Sequence, residues 1–347
     1  MSGHDFGARS CPVCRTLFES VERYAGHTKR ECREQMDAQV RRAVAEVDRL
    51  LEIRAALTEG LREELRAGLI TRPALRYYGG KWRLAPWVIS HLPEHVSYVE
   101  PYAGAASVLL QKRPSAIEVY NDLDGQVVNF FRVLRERPGE LIRALELTPY
   151  ARAELVACRE PAEEPVEAAR RFFVRSWLGR GAQQRTTRGW RFERELHHRR
   201  RMTVLFGSVL TDLTSIAQRF RDVQIESSPA LDVIETFDTS DTVFYCDPPY
   251  LASTRSRRWA GDGYAHDMTE ADHAALAETL RGIKGMAVVS GYASPLYEAL
   301  YPDWTRVERT SRVDFSQTGK SPSKVECLWI SPRSVGRMPQ RLLEAAV

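Results

Sequence analysis

In the stretch FYCDPPY, an acid, two prolines and an aromatic ring, Asp247, Pro248, Pro249 and Tyr250, come directly after the apolar run Asp241-Thr-Val-Phe-Tyr. A short run rich in β-branched and aromatic residues predicts a buried strand. Two prolines in succession cannot continue a ladder, so the strand ends there. The Asp247 carboxylate and the Tyr250 ring are thus presented at a strand's C-terminal end, where open α/β sheets hold ligands. An acceptor beside a flat face suits a planar ligand that carries a hydrogen-bond donor. A second chemical stretch is VEPYAGAASVLL, where Glu100, Tyr102, Ala103 and Gly104 form a strand end and a small-residue turn that a ligand can approach closely. A third is Asp122 in YND, an acid at the next strand's end, placed to accept both hydroxyls of a ribose. Neither a three-glycine dinucleotide fingerprint nor a P-loop is present, so nothing here demands a phosphate-bearing cofactor.

The N-terminus carries a different chemistry. Cys11, Cys14, His27 and Cys32 have the spacing Cys-x2-Cys-x12-His-x4-Cys, which fits tetrahedral Zn(2+) in a small ββα unit with Phe18 and Tyr24 beneath the metal. This looks like a Cys2His2 finger with cysteine in the last position. Fingers of this sort bind DNA, RNA or proteins, and a separate nuclease is among the candidate protein partners. Three further cysteines are scattered, which favours a metal site over a disulfide framework in a chain without an export signal.

These groups need a frame. From Arg33 to Leu69 the chain is charged, proline-free and apolar at helical spacing through Val40, Val44, Val47, Leu51, Leu57, Leu61 and Leu65, which predicts a helical connector. Leu75-Arg-Tyr-Tyr-Gly-Gly-Lys81 opens the body. A strand, turn and helix over Ser97–Leu110 follow, then a strand over Ala116–Asp122 and a helix through Val127, Phe130, Phe131 and Leu134. Alternation resumes at Val223–Glu226 and continues through FYCDPPY, a helix near 269–282, Met286–Ser290 and Glu326–Ile330. Alternating strands and helices predict a doubly wound, parallel α/β sheet. Between them, residues 141–222 read as helical and irregular. Ten arginines against two glutamates fall between Arg171 and Arg201, a basic patch suited to phosphates. The expected organisation is a finger at 1–35, a connector at 36–71, a catalytic domain at 72–140 and 223–333, the insert at 141–222 and a tail at 334–347.

In their order, YYGGK, EPYAG, a basic insert and DPPY, these motifs resemble the Dam-type DNA adenine-N6 methyltransferases over residues 73–332. Met268-Thr-Glu-Ala-Asp-His273 and the VSGY ending at Tyr292 extend the likeness. The resemblance implies a Rossmann-like, S-adenosylmethionine-dependent fold with a target-recognition insert. It implies that Tyr78, Gly79, Gly80 and Lys81 meet the methionine end of the cofactor, with Glu100, Tyr102, Ala103 and Gly104 lining the turn, Asp122 on the ribose and Asp247 also at the cofactor. It also implies that a flipped adenine stacks on Tyr250 while its amine donates to Asp247 and the Pro248 carbonyl, with Pro249 part of the same catalytic motif. Arg180, Arg185, Arg188 and Arg191 would then touch double-stranded DNA. The family often has Phe at 102 and Gly at 106, where this chain has Tyr102 and Ala106. Ser228 stands where relatives commonly place an acid or amide near the cofactor adenine.

Cytosine-C5 chemistry needs a thiolate in a Pro-Cys setting; Cys246 instead precedes the acid and, by strand alternation, faces away from it. Cytosine-N4 enzymes usually carry serine at position 247, so the acid favours adenine, with cytosine N4 as the alternative. A silent DNA-binding protein on the same fold is the other. At 347 residues, with 43% apolar and 28% charged residues and a net charge of +4, the composition is that of a soluble protein, and no apolar run nears the ~20 residues of a membrane span. The cytoplasm, in a bacterial or phage setting, is the expected location.

Overall fold

The computed structural model describes residues 70–179, 189–192, 201–254, 266–312 and 323–338, together with 9–10, 17–18, 46 and 49–50. The chain divides into two compact units, Met1–Gly68 and Leu69–Val347. In the first, strands β1 (Arg9–Ser10) and β2 (Leu17–Phe18) pair antiparallel, Arg9 opposite Phe18. Cys11 and Cys14 fall between them in sequence, and they, with His27 and Cys32, lie outside the described residues. Most of the expected connector does too.

The second unit is built on a seven-stranded sheet. Its strands are β3 (Ser97–Glu100), β4 (Ile117–Asn121), β5 (Val223–Glu226), β6 (Thr242–Cys246), β7 (Met286–Tyr292), β8 (Thr305–Arg312) and β9 (Ser323–Ile330), in the order β5-β4-β3-β6-β7-β9-β8. The first five run parallel; β9 is antiparallel to both β7 and β8. The sheet is therefore mixed, and the all-parallel expectation is corrected at that edge. Strand β8 (TRVERTSR) escaped the sequence reading because its charges mask it; charge on an edge strand deters pairing with other chains. The central strands β3 and β6 are buried along their whole length, as apolar runs covered on both faces must be.

Ten helices are described in this unit: α1 (Ala85–Ser90), α2 (Gly125–Glu136), α3 (Pro138–Glu146), α4 (Arg152–Ala157), α5 (Pro165–Leu178), α6 (Met202–Arg219), α7 (Ala230–Thr236), α8 (Glu270–Gly282), α9 (Pro295–Leu300) and α10 (Pro332–Val335). One face of the sheet is covered through aromatic contacts: Phe131 of α2 stacks on Phe220 after α6 at 4.5 Å, and Phe130 on Phe173 of α5 at 6.0 Å. Such ring pairs add to the burial of the rings themselves. The basic insert is therefore continuous with the main core through α5 and α6. The other face packs Val99, Phe244, Cys246, Leu276 and Trp329 together.

The helix expected after β3 does not form. Residues 104–111 are a run of turns. Leu109 gives its N–H to the Glu100 carboxylate at 2.8 Å rather than to a carbonyl one turn back, and Ala106 sits at φ 54°, in the left-handed region. Arg219 at the end of α6 holds this run from outside, donating to the Leu109 carbonyl at 2.8 Å and to Glu118 of β4 at 2.7 Å.

Candidate active site

The chain leaves β3 for β4 and β5 on one side, then returns to β6 on the other. Between β3 and β6 the connections diverge, which opens a crevice at the strands' carboxyl ends. A cavity of about 350 Å³ lies there, within the range of small-molecule sites. All eleven residues expected at a cofactor line it: Tyr78, Gly79, Gly80, Lys81, Glu100, Tyr102, Ala103, Gly104, Asp122, Ser228 and Asp247.

Its floor is stitched by backbone. Gly104 adopts φ 47°, donates its N–H to Asp122 Oδ2 at 2.8 Å and accepts the Tyr120 hydroxyl at 2.8 Å. A Cβ at this position would lie 2.9 Å from the Tyr77 ring, so only glycine fits. Asp122 Oδ1 accepts the Asp124 N–H at 2.8 Å. Burial pushes the Asp122 carboxyl up to about 6, against the pull of these two N–H groups. Glu100 Oε1 accepts the Tyr98 hydroxyl at 2.6 Å and the Leu109 N–H; burial raises this carboxyl to about 7. Asn121, which the sequence reading passed over, donates to the Pro101 and Ser228 carbonyls at 2.9 and 3.0 Å and accepts the Ser228 N–H at 2.9 Å. One amide thus ties three strand ends together, and Ser228 contributes its backbone to the frame. An amide beside the acid in YND was the available signal.

The other end is charged. Lys81, 7% exposed, places Nζ 2.9 Å from Asp247 Oδ1, 3.0 Å from the Gly79 carbonyl and 4.5 Å from the centre of the Tyr250 ring. Burial works against the ammonium, but Asp247 and then Glu326 outweigh it and hold the Lys81 pKa above its ordinary value. Tyr250 is buried, with Tyr292 edge-on at 4.7 Å. Asp247 and Pro249 line the cavity, whereas the Tyr250 ring face is covered by the lysine. Pro248 is buried between them. Cys246 is fully buried in the opposite core layer, as alternation requires, and burial drives its thiol far above the usual range. Further wall residues not foreseen are Tyr77, Tyr245, His266 and Asp272. Asp272 is fixed by a capping box with Thr269 at the start of α8.

Of the four arginines expected on DNA, Arg180, Arg185 and Arg188 lie outside the described residues. Arg191 donates Nε to the Gly179 carbonyl at 2.6 Å and its N–H to the Leu178 carbonyl at 2.8 Å, beside the bridge that pairs Gly179 with Trp190. Trp190 packs on the core and stacks near Phe192 and the Arg152 guanidinium. Among the described residues, no group of three or more His, Cys, Asp or Glu is placed to hold a metal ion, and no helix is long and apolar enough to cross a membrane.

The comparisons with known proteins converge on the same chemistry. Residues 77–315 match the D12 class N6 adenine-specific DNA methyltransferases. A DNA adenine methylase of Vibrio cholerae is 26% identical over 277 residues, which span 74% of this chain and 94% of that protein. A DNA adenine methylase of Salmonella typhimurium is 23% identical over 272 residues, 74% and 93% of the two chains. A type II methyltransferase of Lactococcus lactis subsp. cremoris is 22% identical over 267 residues, 72% and 92%. With its DPPY strand end facing a cavity at the switch point of the sheet, and with the match spanning most of that unit, the chain belongs to the D12 class N6 adenine-specific DNA methyltransferases.

Proposed function

We propose that this DNA adenine-N6 methyltransferase holds S-adenosylmethionine across the Asp122 half of the cavity and the target adenine at the Asp247 half. The observation that carries the reading is the convergence of Asp247, Lys81 and the glycine-lined floor on one cavity between β3 and β6. A cofactor without phosphates fits that floor. Gly104 leaves a cradle that a Cβ would fill, and Asp122, already taking two backbone N–H groups, retains lone pairs for ribose hydroxyls. When bound, S-adenosylmethionine supplies an electrophilic methyl group on a sulfonium.

The protein's part is to present the amine. The N6 lone pair of adenine is delocalised into the ring. Accepting hydrogen bonds from the amine at Asp247 and at the Pro248 carbonyl favours a tetrahedral nitrogen, whose lone pair takes the methyl as its bond to sulfur breaks. Asp247 stabilises the positive charge that develops there until the nitrogen releases its surplus proton to water. Stacking on Tyr250 offsets part of the cost of extruding the base, a few kcal/mol. Both groups are engaged by Lys81 in the structure, so the base displaces the ammonium as it docks. The basic insert, with Arg180, Arg185, Arg188 and Arg191, tracks DNA phosphates. Cys11, Cys14, His27 and Cys32 hold a structural zinc, a reading supported by their spacing and by the antiparallel β1–β2 pair that flanks Cys11 and Cys14.

One preparation of the full chain tests these roles. Incubated with methyl-labelled S-adenosylmethionine and unmodified genomic DNA, it places label in N6-methyladenine, and Asp247→Ala lowers turnover by about 10²- to 10³-fold, the scale of losing one preorganised charge-stabilising group. Metal analysis of the same sample finds close to one zinc per chain. An Asp247→Ala variant with wild-type turnover overturns the assignment of the amine acceptor, and a zinc-free chain overturns the finger.

A further inference from the structure

Tyr250 is held from behind by two groups with no part in the chemistry described so far. Its hydroxyl lies 2.9 Å from Glu326 Oε2 and 2.9 Å from Ser290 Oγ. Ser290 belongs to β7 and Glu326 to the neighbouring antiparallel β9, where it pairs with Tyr292. Tyr250, Ser290 and Glu326 are 7%, 2% and 7% exposed. Glu326 lies past residue 315, where the family match ends.

The hydrogens can be assigned by counting. A phenol has one hydrogen to give, and a carboxylate can only accept. The Tyr250 hydrogen therefore goes to Glu326, and the Ser290 hydroxyl donates to the phenol oxygen. Burial, with Asp247 and Glu326 close by, keeps the Tyr250 phenol well above its ordinary pKa, so that hydrogen stays in place. A carboxylate acceptor makes this the stronger of the two bonds.

We propose that Glu326 is a positioning residue for methyl transfer, fixing the plane of the Tyr250 ring against which the target base stacks. The proposal rests on the stacking role given to Tyr250 above. A ring anchored at Cβ by the β6 end and at its hydroxyl by β7 and β9 cannot tilt. Stacking demands that freedom be removed, because an off-plane base no longer presents its amine to Asp247. Accepting the phenol hydrogen also leaves the ring richer in electrons, which favours contact with a base that gains positive charge during transfer.

Steady-state methylation of unmodified genomic DNA, with thermal unfolding alongside, tests this in the full chain. Glu326→Ala should lower kcat by about 10- to 100-fold, the worth of one hydrogen bond to a charged acceptor, with the KM for S-adenosylmethionine nearly unchanged. Glu326→Gln, whose amide oxygen still accepts, should recover most of the loss. In a Tyr250→Phe background the hydroxyl is already gone, so adding Glu326→Ala should cost little more. Full activity in Glu326→Ala, or effects of Tyr250→Phe and Glu326→Ala that simply multiply, overturns the proposal. Should Glu326→Ala fail to fold, Glu326→Gln with and without Tyr250→Phe carries the same comparison. Tyr250→Ala separates the two layers of argument. If it is inactive while the Glu326 variants are fully active, the stacking role stands and the positioning role falls; if it is active, both fall.

Discussion

At the Asp122 end of the cavity each carboxylate oxygen takes a backbone N–H, and the neighbouring strand ends are joined by the Asn121 amide. At the Asp247 end the same structural problem, a carboxylate with little access to water, is met by a long side chain: the Lys81 ammonium lies on Asp247 and over Tyr250. Backbone hydrogen bonds do not move when a ligand arrives, whereas a lysine on a four-carbon stem can swing. On the proposed reading, one half is preorganised for the cofactor, and the other is closed by a cation until the base takes its place. The contrast places the energetic risk at the charged end.

Removing one charge should expose that risk. In Asp247→Ala, the buried ammonium of Lys81 loses its nearest anion, and breaking a buried pair from one side leaves an uncompensated charge worth on the order of 3 kcal/mol of stability. The double variant Asp247→Ala/Lys81→Met removes the stranded charge and should recover much of that loss in urea unfolding. If the single variant is as stable as wild type, the pair is not holding the closed arrangement and the comparison between the two ends collapses.

The stitched end predicts a pH effect of opposite character. Glu100 is raised from 4.5 to about 7, with burial outweighing its hydrogen bonds to Tyr98 and Leu109. A group whose pKa is higher in the folded chain keeps its proton there while the unfolded chain releases it, so stability falls as pH rises from about 4.5 to 7 and is level above that. The size of that fall is on the order of 3 kcal/mol. Glu100→Gln keeps an oxygen for both donors and cannot ionise. Without cofactor it should match wild type near pH 4.5 and exceed it above pH 7, with the smaller decline from Asp122, raised from 3.8 to about 6, still present. Parallel stability curves for the two proteins would show that Glu100 is ionised in the fold, and that charge governs both ends.

What the sequence disclosed follows the same division. Asp247, Asp122 and the glycines at 79, 80 and 104 could be found because a strand end, a turn and a short motif are local patterns, and the cavity draws all of them together. Tyr245 shares the strand face of Asp247, yet its alternation reads equally well as packing. Glu326 and Ser290 could not be found this way, since their meeting with Tyr250 depends on β9 running antiparallel beside β7, a pairing that strand patterns alone do not specify. The segment after β3 failed for another reason. Its small and apolar residues read as a helix, but Glu100 and Asp122 compete for the N–H groups a helix would use. These side-chain acceptors won over local propensity.

Ala106 offers the finest test of that competition. Its φ of 54° costs an L-residue about 1–2 kcal/mol, and relief of this strain by Ala106→Gly should nearly balance the loss of a buried methyl, about 0.8 kcal/mol, and the added chain entropy of glycine, about 0.5–1 kcal/mol. Ala105, also buried, carries no such backbone strain, so Ala105→Gly meets the losses with no compensating gain and should destabilise by about 1.5 kcal/mol. Equal costs for the two substitutions in chemical unfolding would mean that the turn at 106 bears no strain, and that the broken helix owes its shape to the carboxylates alone. A clear difference would assign part of that shape to the backbone itself.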